Sequence, residues 1–240
     1  MLRPLGAAVN RRLHRAGWGV AHWPSEHDFA PRRAALLHAN DVDLVIDVGA
    51  NAGQYGSELR AHGYAGPIVS FEPTATAFAA LANLAAKDRN WTALRTAVGA
   101  EKGQVTMNVS ANSVSSSLLP MLDRHAAAAP DSIYTGTETV PVDSLDGLVG
   151  SRVADAHHPY LKIDTQGFER PVLEGAAAIL PLCVGVELEL CLVPLYQGQV
   201  LWREHIDYME SADFRLVSVT PVFWDDASGE LLAADGIFVR

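Results

Sequence analysis

The sequence predicts an α/β fold built around a parallel β-sheet, and three observations support this prediction. From Leu44 onward, short apolar or β-branched runs alternate with segments of helical periodicity, as in sheets whose parallel strands are joined by helices. Two of these runs end in an acid, Asp47 and Glu72. A turn containing glycine follows the first run, which is typical of the edge at which such sheets bind ligands.

Length and composition agree with one folded domain. The chain has 240 residues, of which 49% are hydrophobic and 19% are charged, so a sizeable core can form. Its formal net charge is −10. We therefore expect a small-molecule substrate and no nucleic-acid partner, because a phosphate backbone attracts basic proteins.

The sequence shows no signal for export or membrane insertion. No apolar run approaches ~18 residues, and the N-terminal residues lack the apolar core of a signal peptide. The spacing of Cys183 and Cys191 fits neither a zinc site nor a redox pair, which predicts reduced, buried thiols. A cytoplasmic protein is expected.

Residues 1–43 form a predicted N-terminal helical arm. Apolar residues at helical spacing predict an amphipathic helix over residues 1–16, with the arginines mostly off its apolar stripe. A loop follows over residues 17–28, and a second helix is expected from Asp28, its N-cap, to about Asn40. The arm either packs on the domain or contacts an anionic membrane surface.

Residues 44–240 hold the predicted ligand-binding domain, in which strands and helices alternate. The predicted strands are 44–48, 67–72, 91–98, 160–164, 183–191, 214–220 and 236–240, and the predicted helices are 54–62, 74–86, 169–180 and 200–211.

An insertion over about residues 99–146 interrupts this alternation. It contains an alternating strand over 104–110, a serine-rich segment over 112–117, and a second strand over 137–142. Pro141 predicts that the second of these strands lies at a sheet edge. An insertion at this point can cover the ligand crevice of an open α/β sheet.

The stretch from Leu44 to Tyr55 is the predicted centre of ligand binding. Gly49, Asn51 and Gly53 form a turn in which a bulky side chain would block a ligand. A helix follows, so the turn's backbone N–H groups are expected to face whatever lies above the strand.

The same stretch restricts the kind of ligand. Its spacing differs from the G-x-G-x-x-G of dinucleotide sites, and a buried Asp47 would repel a pyrophosphate. A zwitterionic ligand fits better, since its ammonium group can meet the acid. Glu72 lies 19 residues after Gly53, near the ~20-residue offset at which an acid meets ribose hydroxyls.

Asp164 is the candidate catalytic residue. It ends a strand beside the predicted topological switch point, where a crevice opens. Gln166 continues the turn after it and is the second catalytic candidate. The alternative is that Asp164 only caps the following helix.

Two further acids lie within an apolar strand. Glu187 and Glu189 share one face, because side chains alternate with period two. Buried carboxylates need a partner. They either pair with Lys162 or with arginines, or they converge with Asp164 to bind Mg²⁺ or to orient the hydroxyls of a sugar. We favour the pairing and assign no metal ligand.

Three blocks, in the same order, resemble the FkbM family of S-adenosylmethionine-dependent methyltransferases. They are Asp47-Val-Gly-Ala-Asn-Ala-Gly-Gln-Tyr55, Phe71-Glu-Pro73 and Leu161-Lys-Ile-Asp-Thr-Gln-Gly-Phe-Glu169. The resemblance implies a Rossmann-like class I methyltransferase fold, with helices on both faces of a mostly parallel seven-stranded sheet whose last strand runs antiparallel.

The resemblance also implies the cofactor and the residues that bind it. S-adenosyl-L-methionine would be held by its methionine moiety at Asp47 and the turn, and by its ribose at Glu72. Tyr55 would pack over the cofactor or in the core. The cofactor-binding candidates are Asp47, Gly49, Ala50, Asn51, Gly53, Tyr55 and Glu72.

The implied reaction is O-methylation of a small molecule, namely a sugar of a glycolipid or secondary metabolite, or a polyketide. Two alternatives stay open. A nicotinamide-dependent Rossmann oxidoreductase is disfavoured by the glycine spacing and by Asp47. A non-catalytic nucleoside-binding subunit is disfavoured by the intact Asp164-Thr-Gln-Gly turn.

Overall fold

The computed structural model describes residues 29–240. The predicted helix over 1–16, the loop over 17–28 and their membrane contact lie outside the described residues. The division of the chain between Asp43 and Leu44 into arm and domain stays a prediction. Within residues 29–240, no helix is both long enough and apolar enough to cross a bilayer.

The secondary structure follows the predicted alternation. The helices are α1 (Phe29–Ala39), α2 (Gln54–Ala61), α3 (Ala75–Ala85), α4 (Asp123–Ala128), α5 (Leu145–Asp155), α6 (Glu169–Glu174) and α7 (Trp202–Ser211). The strands are β1 (Leu44–Val48), β2 (Ile68–Phe71), β3 (Trp91–Leu94), β4 (Ala97–Val98), β5 (Gly103–Ser110), β6 (Tyr134–Asp143), β7 (Pro159–Ile163), β8 (Gly185–Cys191), β9 (Arg215–Asp225) and β10 (Glu230–Val239).

Seven strands form the central sheet, in the order β3-β2-β1-β7-β8-β10-β9. The first five of these are mutually parallel, and β10 is antiparallel to both of its neighbours. This confirms the predicted mostly parallel seven-stranded sheet with an antiparallel last strand. Such a topology places the switch point between β1 and β7, so a crevice opens at their carboxyl ends.

The centre of the sheet is apolar on both faces, as a parallel sheet covered by helices requires. All five residues of β1 are buried, and so are all five of β7. One large apolar cluster includes Ile46, Phe71, Leu161 and Leu188. Because this core fixes the strand ends, it also fixes the side chains that follow them. Cys183 and Cys191 are free and buried, as predicted.

A second, three-stranded sheet has the order β4-β6-β5. The predicted strand over 91–98 is therefore wrong: it breaks at Arg95–Thr96, and its last two residues join this second sheet. The edge position predicted from Pro141 is also wrong, because β6 is the middle strand. β4 pairs only with Val142 and Asp143, so Pro141 lies outside that short ladder.

The C-terminal elements differ in length from the prediction. Helix α6 ends at Glu174, and Gly175 is its C-cap residue. A Cβ at Gly175 would lie 2.0 Å from the carbonyl oxygen of Gly99, which directly follows β4. Strands β9 and β10 are longer than predicted and pair as a hairpin. The missed signal was the turn sequence Asp-Ala-Ser-Gly over 226–229, which joins two apolar runs.

Candidate active site

A cavity of about 340 Å³ opens at the carboxyl ends of the central strands. It lies between the central sheet and the second sheet, at the switch point between β1 and β7, and its size suits a small-molecule ligand. One half has mainly apolar walls, formed by Phe71, Ala97, Val98, Met107, Leu118 and Phe168. The other half is polar and contains Arg33, Glu58, Lys162, Asp164, Glu187 and Asp235.

The glycine turn lines this cavity, but its glycines are required by the fold. Gly49 has φ +76°, and a Cβ there would lie 1.8 Å from the carbonyl oxygen of Asp164. Gly53 has φ +91° and faces Leu81 and Leu84. We predicted that glycine is needed here to leave room for a ligand, but the structure gives a different reason. At Gly49 the backbones after β1 and β7 touch, and at Gly53 leucine side chains fill the space.

The backbone N–H groups of the turn are already used inside the protein. Those of Gly49 and Ala50 donate to the Phe71 carbonyl oxygen, and that of Gly53 donates to the Ala50 carbonyl oxygen. The Asn51 N–H donates to Glu72, and the Ala52 N–H to the Asn51 side chain. The expectation that these five groups face a ligand is wrong. In the first turn of α2, by contrast, backbone N–H groups have no acceptor within the helix and can bind a ligand.

Glu72 lies at the cavity wall after β2. One carboxylate oxygen accepts the Asn51 N–H at 3.0 Å, and the other accepts the Thr74 N–H at 2.8 Å. Burial raises the pKa of this carboxyl, although the bonds from Thr74 and Asn51 oppose the shift. The Thr74 hydroxyl donates to the same oxygen as the Thr74 N–H, at 2.5 Å. The side chain is thus fixed in orientation, and only the oxygen bound to Asn51 keeps a lone pair for a further donor.

Asp47 lies beneath the cavity rather than on its surface. Its side chain is 0% exposed, and Oδ2 accepts a hydrogen bond from Ser70 at 2.8 Å. Oδ1 lies 3.4 Å from Lys162 Nζ. A direct contact between Asp47 and a ligand's ammonium group, predicted from the sequence, is wrong, because the Lys162 cation occupies that direction.

Lys162 forms the floor of the polar half. Its Nζ donates to the Gly49 carbonyl oxygen at 3.1 Å and lies 3.6 Å from Asp164 Oδ2. Burial alone would lower the pKa of Lys162, but the carboxylates of Asp164 and Asp47 outweigh it and raise the pKa. This lysine therefore stays charged and links the turn after β1 to the turn after β7.

Asp164 projects into the polar half, with its side chain 39% exposed. It does not cap α6, which begins at Glu169 without a side-chain cap, so the capping alternative is wrong. Gln166 Nε2 donates to Asp164 Oδ1 at 2.9 Å and to Glu189 Oε2 at 2.9 Å. Gln166 Oε1 accepts from Tyr196 at 2.8 Å. Gln166 therefore positions Asp164.

Glu169 organises the backbone of the same turn. Its Oε1 accepts the N–H groups of Thr165 at 2.9 Å and Gly167 at 3.1 Å. The side chain is 2% exposed. Burial raises its pKa to about 7, opposed by the backbone hydrogen bonds that it accepts. This carboxylate fixes the loop that presents Asp164 and Gln166.

The predicted acids of β8 have separate partners. Glu187 accepts from Arg33 at 2.6 and 3.0 Å and from the Tyr55 hydroxyl at 2.9 Å, whereas Glu189 accepts from Gln166. The pairing of Glu187 with an arginine is confirmed. Within residues 29–240, no group of three or more His, Cys, Asp or Glu side chains is arranged to hold a metal ion.

The serine-rich segment closes the cavity from above. Ser113 Oγ lies 3.2 Å from Asn51 Nδ2, and Ser117 Oγ donates to the Gln166 carbonyl oxygen at 2.7 Å. Ser113 and Asn51 both have positive φ, 61° and 46°. The segment between β5 and β6 therefore reaches both the turn after β1 and the turn after β7.

A family model, the methyltransferase FkbM domain, matches residues 47–216. The chain belongs to the FkbM methyltransferase family. Membership confirms the predicted class of enzyme, an S-adenosylmethionine-dependent methyltransferase, and the matched range contains the glycine turn, Glu72 and Asp164. No curated protein sequence matches the chain.

Solved structures with a similar fold are distant from this FkbM methyltransferase. Magnesium protoporphyrin IX methyltransferase from Synechocystis PCC 6803 is 11% identical, with 99% of this chain and 96% of that chain covered and a TM-score of 0.47. A 1,6-didemethyltoxoflavin-N1-methyltransferase from Burkholderia thailandensis is 14% identical, with coverage of 100% and 87% and a TM-score of 0.45. At these values the similarity carries no information about the acceptor.

The FkbM methyltransferase brings most of the predicted site residues to one cavity. Those that line it are Gly49, Ala50, Asn51, Tyr55, Glu72, Asp164 and Gln166, while Asp47 and Gly53 lie behind its wall. Tyr55 has a cavity position, with its hydroxyl bound to Glu187.

Several residues that line the cavity or hold its loops were not predicted as site residues, among them Lys162, Glu169, Arg33 and Asp235. Glu169 had a weak signal, an acid five residues after Asp164 in the matched block. Arg33 and Asp235 had none, since only the folded sheet brings helix α1 and strand β10 to the cavity.

Proposed function

We propose that this FkbM methyltransferase transfers the methyl group of S-adenosylmethionine to a hydroxyl of a small molecule, namely a sugar of a glycolipid or secondary metabolite, or a polyketide. One observation carries the proposal. Asp164 projects into the polar half of the cavity, across β1 from Glu72, and is held there by Gln166 and Lys162. A donor and an acceptor can thus meet between two fixed carboxylates.

The side chains around the apolar half of the cavity fit the nucleoside of S-adenosylmethionine. Glu72 lines the cavity and keeps one acceptor position on Oε2, which suits a ribose hydroxyl, and Phe71, Val98 and Met107 offer apolar surface for a base. The methionine carboxylate would be held at the first turn of α2, where Gln54 and Tyr55 line the cavity. When bound, S-adenosylmethionine supplies an electrophilic methyl group on a sulfonium.

Asp164 acts at the acceptor. Its partly exposed carboxylate would accept a hydrogen bond from the attacking hydroxyl and so hold the acceptor oxygen in position. The hydroxyl proton would pass to a carboxylate oxygen of Asp164 as the acceptor takes the methyl group, with S-adenosylhomocysteine as the leaving group. Lys162 and Gln166 hold Asp164 in place for that step. Positioning and proton removal contribute together, the latter about 10²–10⁴-fold.

The proposal includes a cytoplasmic enzyme that acts on a small molecule rather than on nucleic acid. The net charge of −10 supports this choice of partner. The two free, buried cysteines agree with a reducing compartment. A peripheral membrane contact of the N-terminal arm remains a prediction.

The experiment that tests the proposal is the substitution Asp164→Asn, with Asp155→Asn as an exposed control. Methyl transfer is measured with methyl-labelled S-adenosylmethionine and a panel of methyl glycosides and polyketide alcohols. We expect Asp164→Asn to lower transfer by about 10²-fold or more and to leave the affinity for S-adenosylhomocysteine within a few-fold of wild type. A parallel loss of cofactor affinity would move Asp164 to the cofactor side, and near-normal turnover would remove it from catalysis.

A further inference from the structure

Two charged side chains at the polar half of the cavity come from outside the range that matches the family model. Arg33 belongs to α1 and Asp235 to β10, whereas the match covers residues 47–216. Strand β10 lies two places beyond β7 in the sheet, so Asp235 is on the opposite side of β1 from Glu72. It therefore belongs to the acceptor side of the cavity. The inference drawn here rests on the proposed function.

Both cations of the polar half are committed to other acids. Arg33 donates to both carboxylate oxygens of Glu187 and to Glu58. Lys162 lies between Asp47 and Asp164. Within the part of the chain that the structure describes, neither of these two cations is left to bind an anionic group of an acceptor.

Asp235 is a carboxylate with free acceptor positions. Within residues 29–240 its one ion pair is with Arg33 at 3.9 Å, beyond hydrogen-bond distance, and no side chain donates a hydrogen bond to it. Its neighbour across the strand pair is Glu189, another acid. The side chain is 23% exposed and lines the cavity.

We propose that Asp235 is a specificity-determining residue that accepts hydrogen bonds from hydroxyl groups of the acceptor beyond the reacting one. The acceptor is therefore a polyhydroxylated molecule, of the sugar type, without an acidic group at the end that meets β10. A carboxylate there would face Asp235, and among residues 29–240 the two cations of the polar half are already paired with other acids. A hydroxyl would supply the donor that Asp235 lacks.

The charge on Asp235 depends on pH in the neutral range, which gives the proposal a second signature. Burial raises its pKa to about 7, helped by Glu187 and Asp164 and opposed by Arg33 and Lys162. The carboxyl is more fully ionised above this pKa. Exclusion of an anionic ligand is therefore stronger at about pH 8 than at about pH 6.

The test uses two probes that differ at one position. Methyl β-D-glucopyranoside and methyl β-D-glucopyranosiduronate are identical except that a hydroxymethyl group is replaced by a carboxylate. Each is titrated by ligand-detected NMR into the full chain saturated with S-adenosylhomocysteine. The variants are Asp235→Asn, Asp235→Ser and the exposed control Asp226→Asn, each checked for folding by circular dichroism.

We expect wild type and the Asp226→Asn control to bind the glucoside at least about tenfold more tightly than the glucuronide. Both Asp235 variants should reduce this preference to about threefold or less, and should abolish its increase between about pH 6 and about pH 8. Equal binding of the two probes, an unchanged preference in the Asp235 variants, or no binding of the glucoside would overturn the proposal. Failure of S-adenosylhomocysteine itself to bind would instead contradict the proposed function.

Discussion

Replacing Lys162 with methionine tests how the floor of the active site is stabilised. Methionine keeps a long side chain but removes the cation that lies 3.4 Å from Asp47. Asp47 is fully buried, and its other partner is the Ser70 hydroxyl. The variant therefore leaves a buried carboxylate without a counter-ion, a change that typically costs about 3–5 kcal/mol.

Protonation of Asp47 limits this cost. Asp47 can become protonated instead of remaining charged. Keeping it protonated at pH 7, about three pH units above its ordinary pKa of about 3.9, costs about 1.4 kcal/mol of folding free energy for each unit. The loss of unfolding free energy is thus capped near 4 kcal/mol. At pH 5 the same argument gives about 1.5 kcal/mol. Burial raises the folded-state pKa of Asp47, and Lys162 opposes that shift. Without Lys162 the pKa rises further, so the stability deficit of the variant must grow with rising pH.

The assay is urea-induced unfolding followed by circular dichroism at pH 5 and pH 7. The double variant Asp47→Asn, Lys162→Met has no buried charge at this pair, so we expect it to recover part of the lost stability and to show the smaller pH dependence. Lys87→Met, at an exposed position, should change stability by less than about 0.5 kcal/mol. If Lys162→Met costs no more than Lys87→Met, or if the double variant is less stable than the single one, the ion pair does not stabilise the site.

Two further predictions concern positions away from the reacting groups. Gly49→Ala should destabilise the fold by several kcal/mol or prevent folding, since its Cβ would lie 1.8 Å from the Asp164 carbonyl oxygen; soluble expression and thermal unfolding measure this, and near-wild-type stability would contradict it. His205 is 1% exposed, neither ring nitrogen has a hydrogen-bond partner within residues 29–240, and burial, aided by Arg170, lowers its pKa to about 4. A lowered pKa favours the unfolded state as pH falls from about 6.5 towards 4, so His205→Leu should lose less stability over that range than wild type. If both proteins lose the same stability as the pH falls, His205 is not a cause of the acid sensitivity.

The central sheet could be predicted because parallel strands buried on both faces leave short apolar runs in the sequence. Leu44–Val48 and Ile68–Phe71 have this character and match the observed strands. The split at Arg95–Thr96 was not predictable in the same way, since Ala97 and Val98 are apolar in either sheet. Only the pairing with Val142 decides where they belong.

The site residues that the sequence predicted well are those that directly follow a strand. Glu72 and Asp164 follow β2 and β7, and both line the cavity. The ion pair between Arg33 and Glu187 joins residues 154 positions apart, and no local pattern encodes such a contact. The role of Asp47 was misjudged for a related reason: the sequence places Lys162 on a strand beside the switch point, but it does not show that the register sets Lys162 opposite Asp47.

Calorimetry with S-adenosylhomocysteine, NAD and NADP at equal concentration tests the central claim most directly. We expect S-adenosylhomocysteine to bind and both nicotinamide cofactors to give no signal. Glu72→Ala should weaken that binding by about 1.5–3 kcal/mol, the value of hydrogen bonds to a charged acceptor. Binding of NAD or NADP in preference to S-adenosylhomocysteine, or an unchanged affinity in a folded Glu72→Ala variant, would contradict the assignment of this cavity to the methyl donor.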